Sequence, residues 1–215
     1  MRADSVRKLS EAGRDALLAY GVRTVVDLRV HSELAADPEV ELPVPVVHVP
    51  LFHDDDEEDW AAIEAVSRAA PDEVASTRDV YLEMLERFCE NFARAFAAVA
   101  QAPEGGVLVH CQGGKDRTGL ISALLLRLVG VSAEDIAADY AISSSNLVSW
   151  LEPWIEDADE EEERERRRRI SSSPPQSMLD VLAELERRYG GVAEYLLAGG
   201  ATEGDLQRAR ARLVS

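Results

Sequence analysis

The period of the apolar positions changes several times along the chain, and each change predicts an element. Val22–Leu28 (VRTVVDL) is β-branched and mostly apolar, as a buried strand is. Pro45–Pro50 holds a second short strand between its prolines. Val107–Val109 is a third, entered from the turn sequence Pro103–Gly106 (PEGG). Tyr81, Leu85, Phe88, Phe92 and Phe96 recur at helical spacing and predict one long helix from about Arg78 to Gln101, opened by Ser76 and Asp79. Thr118–Val129 reads as a buried helix. Ser10 caps a helix that stops at Gly21, and Ser132 with Asp135, Ser177 with Asp180 and Thr202 with Asp205 each open another. Gly190–Gly191 and Gly199–Gly200 end two of the later helices, and Ser171–Pro175 (SSSPP) is a break.

Strands alternating with helices predict an α/β fold: a central, mostly parallel sheet flanked by helices, with a largely helical C-terminal third. Only three strands are legible, few for such a sheet. The 215 residues fit one domain, 1–215, with a helical lid or insert at about 141–175.

Composition narrows the function. A net charge of −18 argues against a nucleic-acid binder, and it requires any phosphate site to be locally positive. Two cysteines make no disulfide framework, and the first residues lack an apolar signal core, so a cytoplasmic protein is expected.

The chemistry gathers in His110–Gly119, HCQGGKDRTG. A strand, a glycine-rich turn and a helix N-terminus form an anion site, because the first helical amides lack intrahelical partners and the dipole there is positive. Gly113 and Gly114 let successive amides converge, from Gln112 through Lys115, on one phosphate. Arg117 offers a planar fork for two of its oxygens. Cys111 lies at the mouth of this cradle, where positive potential favours the thiolate, an in-line nucleophile for phosphorus. Thr118 is placed to donate a hydroxyl hydrogen bond to that sulfur. Cys89, beside Phe88, reads as core packing.

These residues resemble the His-Cys-x5-Arg-Thr/Ser-Gly signature of the protein tyrosine phosphatase superfamily. The Lys-Asp before the arginine is most similar to the bacterial tyrosine phosphatase family found in actinobacteria. Arg2–Asp4 with Leu9, Tyr20–Arg29 with Glu33, Asp139–Tyr140 with Ser143 or Ser144, and Tyr189–Gly191 with Tyr195 and Leu196 carry the likeness across nearly the whole chain. Members of that family commonly begin with a further segment, so one or two sheet strands are expected to be absent or replaced here. The resemblance implies a protein-tyrosine phosphatase working through a cysteinyl-phosphate, with no cofactor or metal. Dual-specificity, phosphoinositide or inositol phosphate hydrolysis is the alternative, and a catalytically weak phosphate-binding module is a further one. The partner is a phosphotyrosine protein or peptide, or a phosphoinositide.

The resemblance also suggests Asp116 as the general acid, since no Trp-Pro-Asp loop occurs in the sequence. Lys115 and Arg117 beside it favour its ionised form, against which burial or a bound phosphate dianion would act. The rival acids are Asp54, Asp55, Asp56 and Asp59, in a run from His53 to Asp59 expected to be a solvated loop. Lys115 reads equally as a donor to a second phosphate or as an exposed charge. His110 is expected to brace the loop, and Arg29 to pair with Glu33 at helical spacing. Glu160–Arg164, Glu162–Arg166, Glu163–Arg167 and Glu165–Arg169 are favourable i,i+4 pairs of a solvated helix, or alternatively of a lid or a face for an anionic head group. Trp150 and Trp154, one helical turn apart, are expected in the core rather than against the active site.

Overall fold

The computed structural model describes residues 1–37, 41–52 and 57–214. Among these, four strands form one all-parallel sheet: β1 (Arg2–Ala3), β2 (Val22–Asp27), β3 (Val46–His48) and β4 (Gly106–His110), in the order β1-β4-β2-β3. The three expected strands are present. The fourth, at Arg2–Ala3, is too short for any periodicity to reveal. Ala3 and Asp27 stand in register with His110, and His48 with Asp27, so all four strands end at one edge of the sheet. Parallel α/β sheets place their sites at that carboxyl edge.

The period-2 alternation of the strands separates two cores. Val26, Val107 and Val109 face the larger one, and Val25 and Leu108 the smaller. The smaller is closed by α1 (Glu11–Ala19), capped by the Ser10 side chain as expected, and by the single turn Val6–Lys8. The larger is built mainly by α4 (Glu73–Arg87), α5 (Cys89–Gln101), α6 (Asp116–Leu128), α9 (Pro175–Tyr189) and α10 (Val192–Ala198). The remaining helices are α2 (His31–Ala36), α3 (Glu57–Ala69), α7 (Ala133–Glu156), α8 (Glu161–Ser171) and α11 (Glu203–Val214). The C-terminal third is almost wholly helical, as the sequence predicts.

Several boundaries depart from expectation. The long helix over Arg78–Gln101 is two helices broken at Phe88, whose φ of −110° and ψ of 27° leave the helical region. Its start lies at Glu73, where the Asp72 carboxylate accepts from the Ala75 amide, and Ser76 instead pairs with the Ser67 hydroxyl at 3.0 Å. Similarly, α9 starts on Pro175, a residue suited to the first helical turn, and Ser177 donates to the Val74 carbonyl. Glu57, Glu58 and Asp59 are not loop but the first turn of α3, where the positive end of the dipole offsets their mutual repulsion. His53–Asp56 fall outside the described residues. In α8 only Glu163–Arg167 forms among the four expected pairs. Glu161–Arg164 and Glu163–Arg166 close at i,i+3 instead.

A buried charge network holds the carboxyl edge. Arg29, 1% exposed, grips Asp27 through Nε and Nη2 at 2.7–3.1 Å and donates through Nη1 to the Asp37 carbonyl at 2.9 Å. The expected Arg29–Glu33 pair is not made, because Asp27 and Asp37 occupy the guanidinium first. Asp37 also meets Arg7 and accepts from Gln112 Nε2 at 3.3 Å, which ties β2 to the segment after β4. Arg29→Ala should leave buried Asp27 uncompensated and cost about 3–5 kcal/mol. Urea unfolding of the variant against the parent protein measures this, and a cost under about 1 kcal/mol would show that the network is not structural.

Candidate active site

β4 ends at His110 and α6 begins at Asp116, so Cys111–Lys115 form a five-residue loop over the sheet edge. Cys111 is buried, and the Gly114 amide donates to its sulfur at 3.2 Å. Gly114 has φ +68°, and a Cβ there would lie 2.5 Å from the Ala3 carbonyl oxygen. Only glycine permits both the left-handed turn and this close approach of β1. The Ser5 amide donates to the Gln112 carbonyl at 3.2 Å and fixes the other side of the loop. β1 therefore serves as a brace for the loop as well as a strand.

Beneath the loop, His110 is fully buried. Its Nδ1 lies 3.1 Å from the Cys111 carbonyl and its Nε2 3.6 Å from Asp27. Burial pulls the imidazole below its ordinary value, against the opposing pull of Asp27.

Arg117 extends from the first turn of α6. Its Nη1 and Nη2 donate to the two Glu33 oxygens at 2.5 and 2.6 Å, and its guanidinium carbon lies 5.6 Å from the Phe52 ring centre. Burial opposes the charge, but Cys111, Glu33 and Asp116 outweigh burial and hold the guanidinium above its ordinary value. Glu33 engages one edge of the fork. A guanidinium carries five N–H donors, so the Nε edge remains for a ligand.

Lys115 is neither exposed nor turned toward a second anion. It is 5% exposed, and its Nζ donates to the carbonyls of Ile170 (2.5 Å) and Ser172 (3.0 Å) at the end of α8. The expectation of an exposed charge is corrected: an ammonium so enclosed satisfies free C-terminal carbonyls of a helix. Asp116 is half exposed, with Oδ1 2.7 Å from the Tyr81 hydroxyl and 3.3 Å from Lys115 Nζ. Thr118 is buried, and its hydroxyl has no hydrogen-bond partner among the described residues, so the expected bond to Cys111 is not formed. Asp59 is engaged by Arg87 on α4 at 2.9 Å, and Asp54–Asp56 fall outside the described residues.

Over the loop lies a cleft of about 560 Å³, walled by Glu33, Gln112, Gly113, Lys115, Asp116 and Arg117 on one side. The other wall is apolar: Leu147, Trp150, Leu151 and Trp154 of α7, and Ile170 of α8. Trp150 (48% exposed) and Trp154 (39%) are not core. Trp150 stands over Gly113, and Arg167 stacks on Trp154 at 4.7 Å. Four apolar side chains of α7 and Ile170 of α8 thus face the cleft over the loop. Cys89, by contrast, packs beside the larger core as expected, and burial raises its thiol above the ordinary value.

Sequence reasoning missed Glu33 as the partner of Arg117, because Arg29 was its nearer candidate. It also took Tyr81 only as part of an apolar stripe. The available signal was the hydroxyl itself: a tyrosine among phenylalanines in a buried stripe needs a polar partner.

The buried His110–Asp27 pair makes stability depend on pH. Both groups have folded values below their ordinary ones of 6.5 and 3.8, Asp27 because Arg29 and His110 overcome its burial. The unfolded chain therefore binds more protons just below each ordinary value, and stability falls as pH drops. Urea midpoints should decline from about pH 6.5 downward and again below about 3.8, and a midpoint flat from pH 7 to 5 would contradict the buried neutral imidazole.

The whole chain, residues 1–215, matches the family described as "Tyrosine phosphatase family". It is 31% identical to a tyrosine-protein phosphatase of Nostoc commune, over 99% of this chain and 73% of that protein. It is 29% identical to the triple specificity protein phosphatase PtpB of Mycobacterium tuberculosis, over 99% of this chain and 90% of that one.

Proposed function

Because the chain belongs to the tyrosine phosphatase family and is a phosphatase, we propose that it hydrolyses phosphotyrosine esters through a phosphorylated Cys111. The observation that carries this reading is the Cys111 sulfur, held by the Gly114 amide in a loop that leads into the first turn of α6 and its charged Arg117.

The thiolate attacks phosphorus, forming the S–P bond as the P–O bond to the leaving group breaks. Loop amides from Gln112 to Lys115 and the free edge of Arg117 hold the equatorial oxygens. Asp116 gives its proton to the departing phenolic oxygen. A water then attacks the phosphocysteine and loses its proton to Asp116. The S–P bond breaks, inorganic phosphate leaves, and the thiolate is restored. The Thr118 hydroxyl, buried and without a partner among the described residues, is left to ease the second departure by donating to the sulfur. His110 holds the loop in place throughout.

The aromatic wall of the cleft supports an aryl substrate. Trp150 and Trp154 line the cleft together with the phosphate loop, a setting for a tyrosyl ring and a poor one for a charged inositol. Lys115, the feature that favoured a second phosphate, is committed to carbonyls of α8. We assign α7 and α8 the role of a lid, latched by that contact and opening for peptide entry. Among the described residues no helix is long and apolar enough to cross a membrane.

Turnover of p-nitrophenyl phosphate in a metal chelator, followed by a panel of phosphotyrosine, phosphoserine, phosphothreonine and phosphoinositide substrates, tests the reading. Phosphotyrosine peptides should be preferred, and Cys111→Ser should lower kcat to background while still binding the peptide. Folded protein that binds phosphopeptides but turns over nothing would make the site a binding module. Preference for inositides would replace the substrate class.

A further inference from the structure

The cleft leaves unexplained a buried row of hydroxyls behind Asp116. Tyr81 of α4 and Tyr140 of α7 are each 1% exposed, and their hydroxyls lie 2.8 Å apart. Tyr81 donates its one proton to Asp116 Oδ1 at 2.7 Å, so it accepts from Tyr140. Tyr140 is hydrogen-bonded in turn to Ser173, which accepts from Ser144 Oγ at 2.8 Å. Two rings packed edge to face, 5.9 Å apart, hold the two phenols in line.

We propose that Tyr81 is a positioning residue for the general acid, fixing Asp116 by its Oδ1 so that Oδ2 carries the transferable proton toward the leaving group. It rests on the reading of Asp116 as the acid. Three observations carry it. Asp116 is half exposed and sits in the first turn of α6, where its side chain would otherwise sample several rotamers. Both side-chain contacts of its carboxyl, from Tyr81 and Lys115, fall on Oδ1, and among the described residues none falls on Oδ2. Tyr81 is itself locked by burial, by Tyr140 and by the packing of α4 against α9. A donor that never moves can hold an acid in a productive geometry. Burial, together with the Asp116 charge and Tyr140, pushes the Tyr81 phenol well above its ordinary value, so it remains a neutral donor throughout the working range.

The charged and titratable groups around Asp116 are Lys115 and Arg117 beside it, Tyr81 from α4 and Tyr140 from α7, the last also facing Arg2. Removing the Tyr81 hydroxyl takes away the donor that fixes Asp116 Oδ1 and leaves the carboxyl free to change rotamer.

The test measures kcat/KM against pH for aryl phosphates of graded leaving-group basicity and one alkyl phosphate, in the parent protein, Tyr81→Phe, Tyr140→Phe and Asp116→Asn. Tyr81→Phe should lose about tenfold on the poorest leaving group and much less on p-nitrophenyl phosphate. Tyr140→Phe should show the same pattern more weakly, and it carries the test if Tyr81→Phe does not fold. An equal loss on every substrate, or a parent-like slope, in the folded variants would overturn the proposal while Asp116→Asn still steepens the slope. A parent-like slope in Asp116→Asn itself would remove the acid beneath it instead.

Discussion

The hydrogen bond from the Gly114 amide to the Cys111 sulfur is the contact on which the rest of the site depends. It requires the chain to turn back over the sulfur immediately after β4, and that turn needs a left-handed glycine pressed against the backbone of β1. Once the loop is curled in this way, it leads directly into α6, whose first turn carries Asp116 and Arg117 at the positive end of the helix dipole. The parallel register of β1, β4 and β2 supplies the platform, because it brings Ala3, His110 and Asp27 to the same height.

A chain of net charge −18 must concentrate its positive potential to hold a phosphate at all. It does so by pairing its cations selectively. Arg29 is spent on the buried carboxylates that anchor the sheet edge, and Lys115 on the carbonyls of α8. Arg117 is aligned by Glu33, which engages one edge of its fork. The α7–α8 pair then covers this small positive site with an apolar wall. The site thus gains depth and shelter from water, which strengthens every charge interaction inside it.

Much of this was legible in the residues. The strand, glycine turn and helix around Cys111 follow from local chemistry, and the strands at Val22 and Val107 from their β-branched runs. What was hidden is non-local. Nothing in Arg2–Ala3 marks a strand, since its pairing partner lies over a hundred residues away. The break at Phe88 and the early start at Asp72 are set by packing and by one capping carboxylate rather than by the apolar period. Glu33 and Arg117 are 84 residues apart, and Tyr81 and Asp116 are 35 apart. Neither pairing has a sequence spacing to announce it. The two tryptophans looked like core because exposed tryptophan is costly, yet they line the cleft over the loop.

The central claim is that phosphate passes through covalent attachment to Cys111. The most direct measurement is mass spectrometry of the protein quenched in acid within milliseconds of mixing with an aryl phosphate. A phosphoryl adduct on the peptide that carries Cys111, rising and decaying at rates consistent with turnover, is the predicted result. Full turnover with no adduct at any time, or an adduct on another residue, would contradict the account.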